Sequence, residues 1–127
     1  MSDFKPAGFQ CITPYLTLNN LADFVKFAET GLGAQLLSKM EDNGEVQHAE
    51  LKFNDSMVMA GQSKDSNSTI PAMLYFYVKD CDAAYKVALD AGASSIMEPK
   101  DQVYGDRNAA VKDNWGNQWW FATHKEK

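Results

Sequence analysis

Cysteine and histidine are scarce in this chain of 127 residues, which holds two of each. Cys11 and Cys81 have no CxxC partner, so neither a disulfide framework nor a zinc knuckle is indicated, and a reducing cytoplasm is the expected setting. Basic residues are outnumbered: 12 Lys and Arg against 17 Asp and Glu leave a formal charge of -5. The basic residues are scattered as well, which argues against a surface that tracks phosphates and so against a nucleic-acid partner. No window approaches the length of a membrane span, and MSDFKPAGFQ lacks a basic start followed by an apolar run, so a soluble, unprocessed chain with no membrane partner is expected. Glycine-rich phosphate loops are missing too, because GLGA ends a helical pattern whereas a dinucleotide fingerprint begins one. Two histidines give little from which to build a Ser-His-Asp or Cys-His set.

What is present is enough apolar residue, 45%, for one domain over residues 1–127 with a real core. Cys11 to Leu18 alternates as a half-buried strand, with Ile12, Pro14, Leu16 and Leu18 on one face and Thr13, Tyr15 and Thr17 on the other. Asn20 is placed to cap a helix running to about Thr30, where Leu21, Phe24, Val25, Phe27 and Ala28 recur at helical spacing and Gly31 with Gly33 ends it. Strands then follow at Gln35 to Met40, Val46 to Phe53 and Ser56 to Gly61, with turns at EDNGE and at Asn54 and Asp55. The polar run Gln62 to Pro71 reads as a flexible linker. After it the order restarts: a strand at Met73 to Val78, a helix from about Cys81 to Ala91 capped by Asp80 and stopped by Gly92, a strand near Ser95 to Glu98, and two strands around NWGNQWW. LNNLADFVKFAETGLGA aligns with VKDCDAAYKVALDAGA at an offset of about sixty residues, so a βαβββ unit is used twice, over about 11–61 and 72–124. The expected fold is α+β: two such modules forming a curved mixed-sheet cup with the helices on its outer face, and the cup is where a ligand would go.

Four stretches in order, ITPYLTLNN, FVKFAETGLGA, HAELKFNDSMVMAG and VYGDRNAAVKDNWGNQWWFATH, resemble the vicinal oxygen chelate superfamily of glyoxalase, bleomycin-resistance and extradiol-dioxygenase proteins, and within it the phosphonate-operon-associated, glyoxalase-like branch. The resemblance implies a homodimer, and in the family's enzymes a divalent metal held by His and Glu at four cup-facing positions. Matched residue by residue, these positions fall on Thr13, Met59, Met73 and Trp120. A hard divalent ion wants carboxylate or imidazole donors, so no metal and no other cofactor is expected here.

Other residues carry weaker signals. His48 lies two residues before Glu50 on one strand face, which makes a two-ligand site conceivable, although an ordinary strand surface explains both. Glu50 and Glu98 are candidates for acid or base work if buried, with a solvated strand edge as the cheaper account. Arg107, in the turn Tyr104-Gly105-Asp106-Arg107, carries a fork that can hold a carboxylate or phosphate, unless Asp106 neutralises it or the turn is only structural. His124, in the polar tail ATHKEK, reads as a surface residue.

Alternation sends Trp119 and Phe121 to the helix side and Trp120 to the cup. With Tyr15, Tyr75, Tyr77 and Met73 it makes an aromatic, soft lining suited to a planar or apolar ligand, or else plain packing across a dimer interface. The functional expectation is a cytoplasmic, homodimeric protein that binds a small organic molecule through Thr13, Tyr15, His48, Met59, Met73, Tyr75, Arg107 and Trp120. The rivals are a metal-dependent lyase or dioxygenase, a metal-free isomerase using Glu50 or Arg107, and an interaction module whose cup its own side chains fill.

Overall fold

The computed structural model describes residues 4–65 and 69–125. The chain forms two compact units, the first of residues up to Glu29 with Gly33–Ile70, the second of Thr30–Leu32 with Pro71–Lys127. The architecture is α+β: each unit carries a four-stranded mixed sheet, and the element order is βαβββ twice.

In the first unit, β1 (Tyr15–Leu18) is followed by α1 (Leu21–Gly31), β2 (Gln35–Asp42), β3 (Glu45–Phe53) and β4 (Ser56–Gln62). The sheet order is β1-β4-β3-β2, with β1 parallel to β4 and the remaining pairs antiparallel. Alternation places Leu16, Leu18, Ala49, Leu51, Val58 and Ala60 on the buried face, and Tyr15, Thr17, His48, Glu50 and Met59 on the other. The buried stripe of α1 is the expected one: Leu21, Phe24, Val25, Phe27 and Ala28.

Three expectations need correction here. The first strand starts at Tyr15, leaving Ile12 exposed and Thr13 before the sheet. Pro14 has no amide for the ladder, although its carbonyl still accepts from Met59 N at 2.9 Å. Asn20 sits in the left-handed region (φ 52), which is not the extended backbone of an ordinary cap, and the amide of Leu21 is taken by Gln62 Oε1 at 2.9 Å. The run 62–71 is tied at both ends: Gln62 belongs to β4, Ser63 N donates to Leu18 O, and Ile70 bridges to Thr17. The middle of that expected linker, residues 66–68, lies outside the described residues.

The second unit repeats the plan with β5 (Met73–Tyr77), α2 (Cys81–Asp90), β6 (Ser94–Asp101), β7 (Asp106–Lys112) and β8 (Gln118–His124). Its order is β5-β8-β7-β6, with β5 parallel to β8. Here Asp80 caps as expected, its carboxylate accepting from Ala83 N at 3.1 Å. The helix packs on β6, β7 and β8. Beneath it Ala109, Val111, Trp119 and Phe121 are buried.

The turn from β7 to β8 is organised by the buried carboxylate of Asp113. It accepts from the amides of Trp115 and Asn117 at 2.9 Å each, from Asn117 Nδ2 at 3.1 Å and from Trp119 Nε1 at 2.9 Å. Gly116 takes the left-handed conformation (φ 89) that closes the loop. The tryptophan-rich hairpin is thus held by one side chain.

Candidate functional site

The face of the second sheet opposite α2 carries a continuous polar and aromatic network. In β7, Asp106, Asn108 and Ala110 point to this face, while Arg107, Ala109 and Val111 point to the helix. The parallel pairing of β5 with β8 puts Met73, Tyr75 and Tyr77 on the same face as Trp120.

Asp106, although buried, is an acceptor for three side chains from two other strands. Its Oδ2 takes the hydroxyl protons of Tyr75 at 2.7 Å and Tyr77 at 2.9 Å, and its Oδ1 lies 2.9 Å from His124 Nδ1. Hydrogen bonding from Tyr75, then from His124 and Tyr77, favours the ionised form and holds this carboxyl below the usual carboxylate range. The phenols respond in the opposite sense. Burial and then the bond to Asp106 raise Tyr75, and the bond to Asp106 raises Tyr77, so both stay protonated.

Asn108 extends the network, donating from Nδ2 to the hydroxyl oxygens of Tyr75 at 3.0 Å and Tyr104 at 2.9 Å, and accepting from Gln102 Nε2 at 3.0 Å. The rings of Tyr75 and Tyr77 meet edge to face at 5.4 Å. Both remain open to solvent, at 43% and 54% exposure, beside Met73 at 64%. Trp120 is half-buried, its indole N–H donating to Gln118 Oε1 at 3.0 Å.

His124 is exposed, as the sequence suggests, but it belongs to a strand and not to a tail. It is the last residue of β8, opposite Asp106 in the ladder. The turn Tyr104-Gly105-Asp106 looked self-sufficient in the sequence, and only the β7–β8 register brings its carboxylate under β5 and the end of β8.

Arg107 is also placed differently from expectation. Its Nε and Nη2 fork onto Asp82 of α2 at 2.8 and 3.0 Å, and its Nη1 reaches Asp101 at 3.3 Å. The guanidinium faces α2, away from the Asp106 carboxylate, so it is Asp82 and Asp101 that neutralise it. These bonds lower Asp82 and, with Lys125 foremost, Asp101, and they raise Arg107 further. A ligand anion would have to displace two carboxylates from that fork.

On the first sheet, Tyr15 is exposed, its hydroxyl 3.4 Å from His48 Nδ1, with His48 Nε2 3.9 Å from Glu50. Gly61 makes this arrangement possible, because a Cβ there would lie 2.5 Å from the Tyr15 hydroxyl. Met59 is half-buried beside them and opposite Glu50 in the ladder. Glu98 is exposed on β6.

The four positions to which the resemblance assigns metal ligands do not fit a hard divalent ion. The Thr13 hydroxyl donates to Gln10 O at 3.1 Å, Met59 and Met73 offer thioethers, and Trp120 has only an N–H. Among the described residues no group of three or more His, Cys, Asp or Glu side chains is placed to hold a metal ion. No helix among them is long and apolar enough to cross a membrane.

The chain is 29% identical over 120 residues to the uncharacterised protein Mb0911c of Mycobacterium bovis, covering 85% of this chain and 79% of that one. Its fold matches the crystal structure of TioX from Micromonospora sp. ML1 with a TM-score of 0.80 at 21% identity, over 91% of this chain and 98% of that one. It also matches a gene product of Arabidopsis thaliana with a TM-score of 0.72 at 23% identity, over 90% and 98% of the two chains. The family model of the Glyoxalase/Bleomycin resistance protein/Dioxygenase superfamily matches residues 10–121, and the chain belongs to that superfamily.

Proposed function

We propose that the protein binds a small planar or apolar organic molecule, without the superfamily's metal, and works as a homodimer. The observation that carries this reading is the sheet face opposite α2, where Tyr75 and Tyr77 are exposed as rings while their hydroxyls are fixed on a buried carboxylate. Rings held in this way present a stacking surface whose rotamer freedom is already lost, so less entropy is left to lose on binding. Trp120 and Met73 extend that surface with a second ring system and a soft thioether. The first sheet offers a smaller counterpart in Tyr15, His48 and Met59.

Native mass spectrometry of protein purified without chelator tests the dimer and the metal in one spectrum, and quenching of tryptophan fluorescence by planar aromatics tests the binding. The expected spectrum is a metal-free dimer, with or without an organic adduct. One divalent ion per chain would instead favour the metal-dependent lyase or dioxygenase reading. A monomer would remove the dimer, and failure of a panel of planar aromatics to quench tryptophan fluorescence would leave the interaction-module reading. A metal-free enzyme is the second reading kept, because one pair on this face, Asp106 and His124, has the geometry of an oriented base.

A further inference from the structure

We propose that His124 is the proton acceptor of a metal-free catalytic site on the sheet face opposite α2, with Asp106 as its positioning residue and a planar carbon acid as substrate. The proposal rests on the reading that this face receives an organic molecule. Its starting point is the 2.9 Å contact between His124 Nδ1 and Asp106 Oδ1. An ionised carboxylate can only accept, so the proton of a neutral imidazole must lie on Nδ1 and the basic lone pair on Nε2.

The ring also lies close over Gly105. Gly105, at φ +101, passes so close that a Cβ would lie 3.2 Å from His124 Cε1, and the carbonyl of Gly105 accepts from Lys125 N at 2.8 Å. Asp106 is in turn fixed by the two phenols of β5. His124 is 58% exposed, on the same sheet face as the tyrosine rings. Of the other groups near it, Tyr75 and Tyr77 stay neutral, and the ammonium of Lys125 is drawn to Asp101 at 3.1 Å. Tyr104 accepts from Asn108 and keeps its own hydroxyl proton for an oxygen on the ligand.

The step is a proton transfer. The substrate C–H proton moves to Nε2, the C–H electron pair moves onto an oxygen or nitrogen of the substrate, and the imidazolium rests against Asp106. The proton then returns to another atom of the substrate or to water, so nothing is oxidised or reduced. Positioned bases of this kind contribute about a hundredfold or more. Asp106→Asn would place an amide N–H against Nδ1, turn the imidazole to the other tautomer and remove the lone pair from Nε2.

A nitrobenzisoxazole is a suitable probe, because its isoxazole ring opens to a cyanophenolate when a base takes the C–H proton of that ring, with the C–H electron pair completing the nitrile as the N–O bond breaks. The expected result is saturable ring opening that falls at least about tenfold in His124→Gln and in Asp106→Asn, with fluorescence quenching by the probe retained in His124→Gln. Nitrogen-15 NMR should show the proton on His124 Nδ1 in the native protein and its move to Nε2 in Asp106→Asn. Quenching without turnover, or turnover unchanged in His124→Gln, overturns the catalytic proposal and leaves the binding reading standing. If the probe does not bind, the binding reading fails for this class, and the NMR tautomer together with diethyl pyrocarbonate decides the base. Acylation of His124 no faster than that of His48, or an Nε2 proton in the native protein, overturns it.

Discussion

Asp106 contributes stability only while it is ionised. Its folded-state ionisation lies below the unfolded value of about 3.9, so its contribution is complete above that pH and is given up as pH falls toward the folded value. Asp82 and Asp101 act in the same direction through Arg107 and Lys125. Acid titration followed by circular dichroism should therefore show stability falling below about pH 4, with a shallower loss in Asp106→Asn. The two thiols should separate as sharply. Cys81 is buried against Phe121 O and its thiol is pushed up by that burial, whereas Cys11 is exposed. A thiol reagent should label Cys11 in the native protein and Cys81 only on unfolding, and equal labelling would mean that the start of α2 opens readily. At this scale the sequence was least legible. Asp106 has local turn chemistry and His124 sits among charged residues, so neither announces a partner that only strand register supplies.

Elements were easier to read, because alternation and helical spacing are properties of neighbouring residues. Leu16 and Leu18, Trp119 and Phe121, and the apolar stripe of α1 all point where their periods send them. The misses involve backbone chemistry: Pro14 shortens β1, and Asn20 takes the left-handed conformation that asparagine tolerates in place of the extended one of a cap. Asp113 shows how one residue can define an element. Replacing it with Ala strands four donors, including the Trp119 indole, and should cost about 3 kcal/mol in denaturant unfolding. A loss under about 1 kcal/mol would mean that the hairpin is held by its strands instead. Gly61→Ala is a gentler probe, since only the flexible end of Tyr15 must move. Its expected signature is a shift of the His48 resonances with little change in stability.

For the molecule as a whole, the duplication was legible because two helix-ending stretches match in order, and the βαβββ count followed from them. The role of residues 62–71 was not, because polarity says nothing about where Gln62 and Ser63 find partners across the first unit. If the tyrosine face binds a planar ligand, a concentration about a hundredfold above its Kd should add about 2.7 kcal/mol of stability. That corresponds to a rise in Tm of roughly 5–10 °C for a chain of this size, and Trp120→Ala should remove most of it. A rise unaffected by Trp120→Ala would place the ligand elsewhere.

The parallel pairs have a consequence for how the chain is made. In each sheet the first strand of the module lies against the last, β1 on β4 and β5 on β8, so neither sheet can close until its whole module has been synthesised. Each closure is nevertheless internal to its module, and the first needs nothing beyond Gln62. During synthesis from the N-terminus the leading module can zip shut while the trailing one is still within the ribosome, which shortens the time that β1 waits as an unpaired edge.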